Sequence, residues 1–155
     1  MPNLFPITGG SPNPTPGTAN ESSGGGQVKF GRSWRFDYEA GDFVLTPTGT
    51  VATCTDADAW LEWCKKALCT ERYTYLAYSR QYGHEFDELI PRNLTRQANE
   101  LEIARIATET LKTDPRTSRV DGFSFTWEGE RCYFQCEVTN VRGQKARMEG
   151  SVVTY

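Results

Sequence analysis

Any chemistry in this chain must come from a few side chains. The single histidine, His84, follows Gly83 at the start of a short helical stretch, and no serine or cysteine motif supplies a nucleophile for it. It reads as an exposed capping residue. Glu85 and Glu88 are three apart on the same stretch, which puts their Cβ atoms roughly 5–6 Å apart on a helix. A retaining glycosidase holds two carboxyls about 5–5.5 Å apart, but on opposite sides of the sugar. Two acids on one face of one short helix cannot straddle a substrate, so a solvated acidic face is the expectation. A peptidoglycan hydrolase built on this pair is the alternative function. The five cysteines are Cys54, Cys64, Cys69, Cys132 and Cys136. Their spacings of five (64/69) and four (132/136) do not give the two-residue loop of structural zinc sites. Buried, reduced thiols are expected. "SSGGGQ" lacks the Lys-Ser/Thr of a phosphate-cradling loop. No catalytic, metal or cofactor-binding residue is assigned, and no cofactor is expected.

One triplet stands apart. Asp114-Pro115-Arg116 lies where a helical pattern gives way to an alternating one. Proline ends the helix by itself, because it lacks an N–H and pushes its predecessor out of helical geometry. An arginine beside a fixed φ is also pre-aimed at a partner's carboxylate or carbonyl. Spacing alone leaves both readings, helix stop and docking corner, open.

Several elements must position these groups. "WRFDYE" alternates Trp34, Phe36 and Tyr38 with charged residues, and "FVLT" and "VATC" follow after turn signals, which predicts three short antiparallel strands. "TDADAWLEWCKKALCTE" reads as a helix capped by Thr55 or Asp56. Its apolar face is Trp60, Cys64, Ala67 and Leu68, flanked by Leu61 and Trp63, with Lys65 and Lys66 outward. "HEFDELI" predicts a short helix burying Phe86, Leu89 and Ile90 and stopping near Pro91. "NLTRQANELEIARIATETLKT" predicts a longer one capped by Asn93 or Thr95, with a buried stripe of Ala98, Leu101, Ile103, Ile106, Ala107 and Leu111. Three alternating strands close the chain, the last from about Lys145 to Tyr155. The fold class is α+β: a small mixed sheet with antiparallel N- and C-terminal strands on about three helices, the C-terminal strand available for inter-subunit pairing.

Residues 1–30 differ in texture, being rich in Pro, Gly, Ser, Thr and Asn and nearly uncharged. They read as an extended or disordered arm, either a plain tail or one that orders along a neighbour through Leu4, Phe5 and Ile7. Residues 31–155 form the globular domain. At 155 residues a single core is affordable without disulfides. The net charge of −3 gives no basic field for nucleic acid or acidic lipid. No apolar run of membrane-spanning length and no signal-peptide pattern is seen, so a cytoplasmic setting is expected.

The stretches "GRSWRFDYEAGDFVLTPTGTVATCTDADAWLEWCKKALCTERY", "YSRQYGHEFDELI" and "TDPRTSRVDGFSF" resemble the sheath-initiator, or baseplate wedge, proteins of contractile tails, particularly the branch in PBSX-type prophages and contractile bacteriocins. Thr70-Glu71-Arg72, Tyr82-Gly83 and Asp114-Pro115-Arg116 stand where that family has a Thr-charged-Arg turn, an aromatic-Gly pair and Glu-Pro-Arg; the acid here is Asp, one methylene shorter. The resemblance is expected to cover about residues 31–155. It implies a non-enzymatic ring protein, six copies on the baseplate, assembled in the bacterial cytoplasm and carried in the released particle. Its partners would be sheath protein and wedge proteins, with the tail tube or hub possible contacts of the arm. Neither nucleic acid nor membrane is implied. The family mechanism is strand addition to sheath subunits. By analogy, Asp114, Pro115, Arg116, Glu71 and Arg72 would dock the wedge, and Lys145, Arg147, Met148, Val152, Val153 and Tyr155 would lie on the strand shared with sheath.

A chain that ends on an alternating strand leaves a sheet edge, an aggregation risk unless a partner covers it. Arg142, Lys145 and Arg147 against Glu149 would keep such an edge soluble and steer an acidic partner. An ordinary closing strand is the competing reading. Two expectations follow. Deleting Met148–Tyr155 should leave a folded domain that cannot nucleate sheath, and Arg116→Ala should weaken docking while sparing the fold.

Overall fold

The computed structural model describes residues 27–154. The proposed anchor Leu4, Phe5 and Ile7, and also Tyr155, lie outside the described residues.

The aromatic alternation at the N-terminal end of the domain does form strands, but in pieces. Arg32–Trp34 (β1) pairs antiparallel with Thr53–Thr55 (β4), and Phe36–Asp37 (β2) pairs antiparallel with Asp42–Phe43 (β3). The break falls at Arg35 for a visible reason. Its N–H donates to Ala52 and its carbonyl accepts from Val44, so the chain changes partner there. The Asp37 carboxylate accepts the Glu39 and Ala40 amides at 2.9 and 3.0 Å and so folds the β2–β3 turn.

Asp56–Leu68 forms α1, with Ala59, Trp60, Glu62, Cys64, Ala67 and Leu68 buried. Lys66 is not free in solvent: its ammonium donates to Ser33 Oγ and the Trp34 carbonyl, tying α1 to β1. The next helix is a 3-10 helix, Phe86–Arg92, which runs through Pro91 rather than stopping there. Phe86 and Leu89, three apart, fall on one face of its three-residue turn and are buried. Asn93, in left-handed backbone at φ 44°, ends it.

Arg96–Lys112 forms α2, capped by Thr95, whose hydroxyl accepts the Ala98 amide. Its buried face is Asn99, Ile103, Ile106, Ala107, Thr110 and Leu111. Leu101 was expected in this stripe and is instead 73 % exposed, because the face against the sheet runs through Asn99 and Ile103, on either side of it.

Thr117–Glu128 (β5), Arg131–Asn140 (β6) and Lys145–Val153 (β7) form an antiparallel sheet in the order β5-β6-β7. One face is apolar, with Cys132, Phe134, Cys136 and Val138 of β6 alternating into the core beside Met148 and Val152 of β7. Trp60, Ile103, Ile106 and Leu111 close the core from the helices. The other face is polar, as expected for an antiparallel sheet covered on one side. Phe134 is accommodated by Gly150 directly opposite, where an added Cβ would lie 2.7 Å from the ring. The register of β6–β7 is unbroken. That of β5–β6 slips between Thr117 and Arg119 and again between Asp121 and Ser124, around Gly122 at φ 63°.

Candidate docking surfaces

Three places present features suited to binding another protein. The first is the loop after α1. Its neck is closed by the Arg72 amide donating to the His84 carbonyl (2.8 Å) and the His84 amide donating to the Thr70 carbonyl (2.9 Å). The Arg72 guanidinium, 9 % exposed, donates to the Gly83 carbonyl (3.1 Å) and to Glu85 (2.9 Å), with Glu109 at 3.5 Å. Thr110 of α2 donates to the same Gly83 carbonyl (3.2 Å). Gly83 is required at this crossing: φ is 97°, and a Cβ would lie 2.5 Å from the Thr70 oxygen. The two motifs Thr70-Glu71-Arg72 and Tyr82-Gly83 therefore meet in space as one clasp. Beyond it Tyr73, Tyr75, Leu76 and Tyr78 stand exposed, while Tyr82 packs edge-on against Trp63 at 5.6 Å. Glu71 is exposed; it accepts from Thr74 and shares a hydrogen bond with Asp87, which holds its carboxyl above the ordinary value.

The second is the acid–Pro–Arg corner. Asp114 is 4 % exposed, and its carboxylate accepts the Arg116 amide (2.8 Å) and the Arg116 guanidinium at both oxygens. Arg116 Nη1 donates to the Phe30 carbonyl at 2.6 Å. Pro115 alone is exposed. This corner thus joins the end of α2, the start of β5 and the segment entering the domain at Phe30. The shorter acid is the one that fits, since Asp closes the local turn onto the amide two residues on.

The third is β7. The Asn140 amide donates to the Gln144 carbonyl, and the Thr154 amide to the Glu130 carbonyl, at the two ends of the β6–β7 ladder. Hydrogen-bonded pairs alternate along an antiparallel ladder, so the even-numbered residues of β7 bond to β6. The N–H and C=O of Lys145, Arg147, Glu149, Ser151 and Val153 point to the outer edge. Among the described residues no strand pairs with that edge. Of the basic residues expected to guard it, Arg142 is bound to Asp56 (3.2 Å) and lies over the Phe30 ring, and Lys145 pairs with Glu137 at 2.7 Å. Met148 and Val152 face inward and belong to the core.

The residues weighed for catalysis are placed otherwise. Glu85 is bound to Arg72 and Glu88 to Arg92, each carboxylate on its own arginine. His84 is half-buried rather than an exposed cap; its ring stacks on Phe86 at 4.5 Å and Nδ1 accepts the Phe86 amide at 3.3 Å. Burial pushes the Cys64 thiol up to about 12 and those of Cys132 and Cys136 to about 11, far from reactive thiolates. Cys69 is exposed, contrary to the expectation that all five thiols are buried. Among the described residues no group of three His, Cys, Asp or Glu is placed to hold a metal, and no helix is long and apolar enough to cross a membrane.

The described surface thus comprises a clasped loop, a sealed helix–strand corner and an open β-edge. Residues 32–143 match the contractile injection system sheath initiator family, and the chain belongs to that family. It is thus a structural protein of contractile tails. Similarity extends to the phage-like element PBSX protein XkdS of Bacillus subtilis (strain 168), 29 % identical over 104 residues, covering 66 % of this chain and 70 % of that protein. The family match takes in β1 to β6, the clasp and the corner, and ends one residue short of β7 rather than at the C-terminus.

Proposed function

We propose that this chain joins the baseplate wedge to the first sheath ring of a contractile particle and seeds the sheath by pairing a sheath strand with β7. The observation that carries the reading is the outer edge of β7, with its backbone groups unpaired by any strand among the described residues. Each ladder hydrogen bond nets roughly 0.5–1.5 kcal/mol, so four or five contribute about 2–7 kcal/mol per subunit. That is weak alone and durable in a ring, where linked copies raise the effective concentration. The reading takes six copies per baseplate, assembled in the host cytoplasm, with no enzymatic step. Wedge contacts fall on the tyrosine loop held by Glu71 and Arg72 and on the exposed rim of the corner at Pro115. The arm is left to contact the tube or hub.

Truncating β7 is a poor test, since Met148 and Val152 are core residues and their loss would unfold the domain. Glu149→Pro is better. It removes an outward N–H and leaves the β6 ladder intact, a position where edge strands tolerate proline. The variant should fold normally and join baseplates that carry no sheath when particles are imaged. Fully sheathed particles would end the strand-pairing mechanism.

A further inference from the structure

Beside the β7 edge lies a groove of about 860 Å³. One wall is the β2–β3 hairpin, another is β7 at Arg147–Glu149, and α1 forms the floor with Glu62, Lys65 and Leu68. Glu62 is the anomaly. It is 9 % exposed, and its Oε2 has no hydrogen-bond donor. The cations around it are engaged elsewhere: Arg35 with Asp58 at 2.6 Å, Lys66 with Ser33 and Trp34, and Lys65 over the Tyr38 ring at 5.9 Å. The Tyr38 hydroxyl donates to the Glu62 backbone carbonyl at 3.4 Å, and its pKa is raised by burial first and then by the neighbouring Glu62 carboxylate, but Oε2 itself receives no donor. A buried carboxylate oxygen without a donor is costly to the fold and is normally satisfied by something.

We propose that Glu62 is the specificity residue of this groove: the extended partner segment that pairs with β7 carries a lysine or arginine whose side chain bonds Glu62. The inference rests on strand pairing at β7 and adds the chemistry of the strand. A charge-assisted bond to a buried carboxylate is about twice as strong as a neutral one. A segment with an apolar or acidic residue at that point would leave Glu62 buried and unpaired, so the site rejects it. The chain's own arm is a poor occupant, because residues 1–26 contain no lysine or arginine and Glu21 is their only charged side chain.

The test is Glu62→Gln beside Glu149→Pro in the full chain. The isolated Glu62→Gln protein should melt at or above the wild-type temperature, since an unpaired charge is gone, while sheathed particles fall at least tenfold. Alternating Thr/Val peptides carrying one central lysine or one norleucine, titrated into ¹⁵N-labelled protein, supply the second arm. The lysine peptide should shift the amides of Glu62 and Arg147–Glu149, and the norleucine peptide should bind at least tenfold more weakly. Equal binding of the two, or a clear drop in melting temperature for Glu62→Gln, would overturn the assignment. So would groove amides that move on Phe5→Ser, which would put the chain's own arm there, or a wild-type dimer that Glu62→Gln dissolves, which would put a second copy there. If Glu149→Pro blocks sheathing while Glu62→Gln sheaths normally, strand pairing survives and this inference falls. If both sheath normally, both fall.

Discussion

The clasp-and-corner region and the β7 edge treat their polar groups in opposite ways. Around Gly83 and Asp114, each charged side chain close to the backbone has an internal partner: Arg72 with Glu85 and the Gly83 carbonyl, and Arg116 with Asp114 and the Phe30 carbonyl. At β7 the backbone donors and acceptors of the outer edge meet no strand of the described chain, and Glu62 below them has an orphaned oxygen. The Thr70-Glu71-Arg72, Tyr82-Gly83 and Asp114-Pro115-Arg116 residues thus sit where the domain holds itself together. The unpaired β7 edge lies beyond the end of the family match, whereas Glu62 falls inside it. Motif residues here tie the domain's own elements together.

Breaking the internal side of this contrast should cost stability. The largest loss is expected for Arg116→Ala, which leaves the buried Asp114 carboxylate without its cation; removing one partner of a buried pair costs about 3–5 kcal/mol. A drop of roughly 10 °C in melting temperature should be measured. This replaces the sequence-based expectation that the substitution spares the fold. Gly83→Ala comes next. The added Cβ meets the Thr70 oxygen at 2.5 Å in a backbone conformation that suits only glycine, for about 1–3 kcal/mol. Hydrogen exchange should show the loop neck opening first. A smaller effect comes from acid. Burial, joined by the nearby Arg72 charge and opposed by Asp87, holds the His84 imidazole below its ordinary 6.5. The unfolded chain therefore takes up a proton at higher pH than the folded one. The stability contributed by neutral His84 is complete above pH 6.5 and is lost as pH falls through the depressed folded value. Melting temperature should decline between pH 7 and 5, and His84→Asn, which keeps an acceptor for the Phe86 amide but does not titrate, should flatten that slope. Glu149→Pro, on the open side, should change melting temperature least of all while changing assembly most.

Much of the architecture was legible because it rests on periodicity. The buried faces of α1 and of β6 follow from spacing alone, and Thr95 with Pro115 fixed the bounds of α2. The failures have physical causes. Leu101 is apolar in type but off the buried stripe, a distinction of rotation about the helix that needs the packing partner to resolve. The "WRFDYE" run divides at Arg35 because two different strands compete for one residue's backbone. The clasp was visible only as two separate motifs, since a hydrogen bond between residues 72 and 83 leaves no local trace. The corner is visible as a local motif, yet its bond to the Phe30 carbonyl spans 86 positions. Glu62 does leave a signal in the sequence. It falls three residues after Ala59 and two before Cys64, among residues that face inward.

The two outer strands of the main sheet are not equivalent. β5 is interrupted twice by slips in register and turned at Gly122, whereas β7 keeps step with β6 throughout. A kinked border refuses a straight neighbour, and a regular one invites it. With a single regular border, the described sheet lacks the two straight ends that open-ended stacking into a fibre requires.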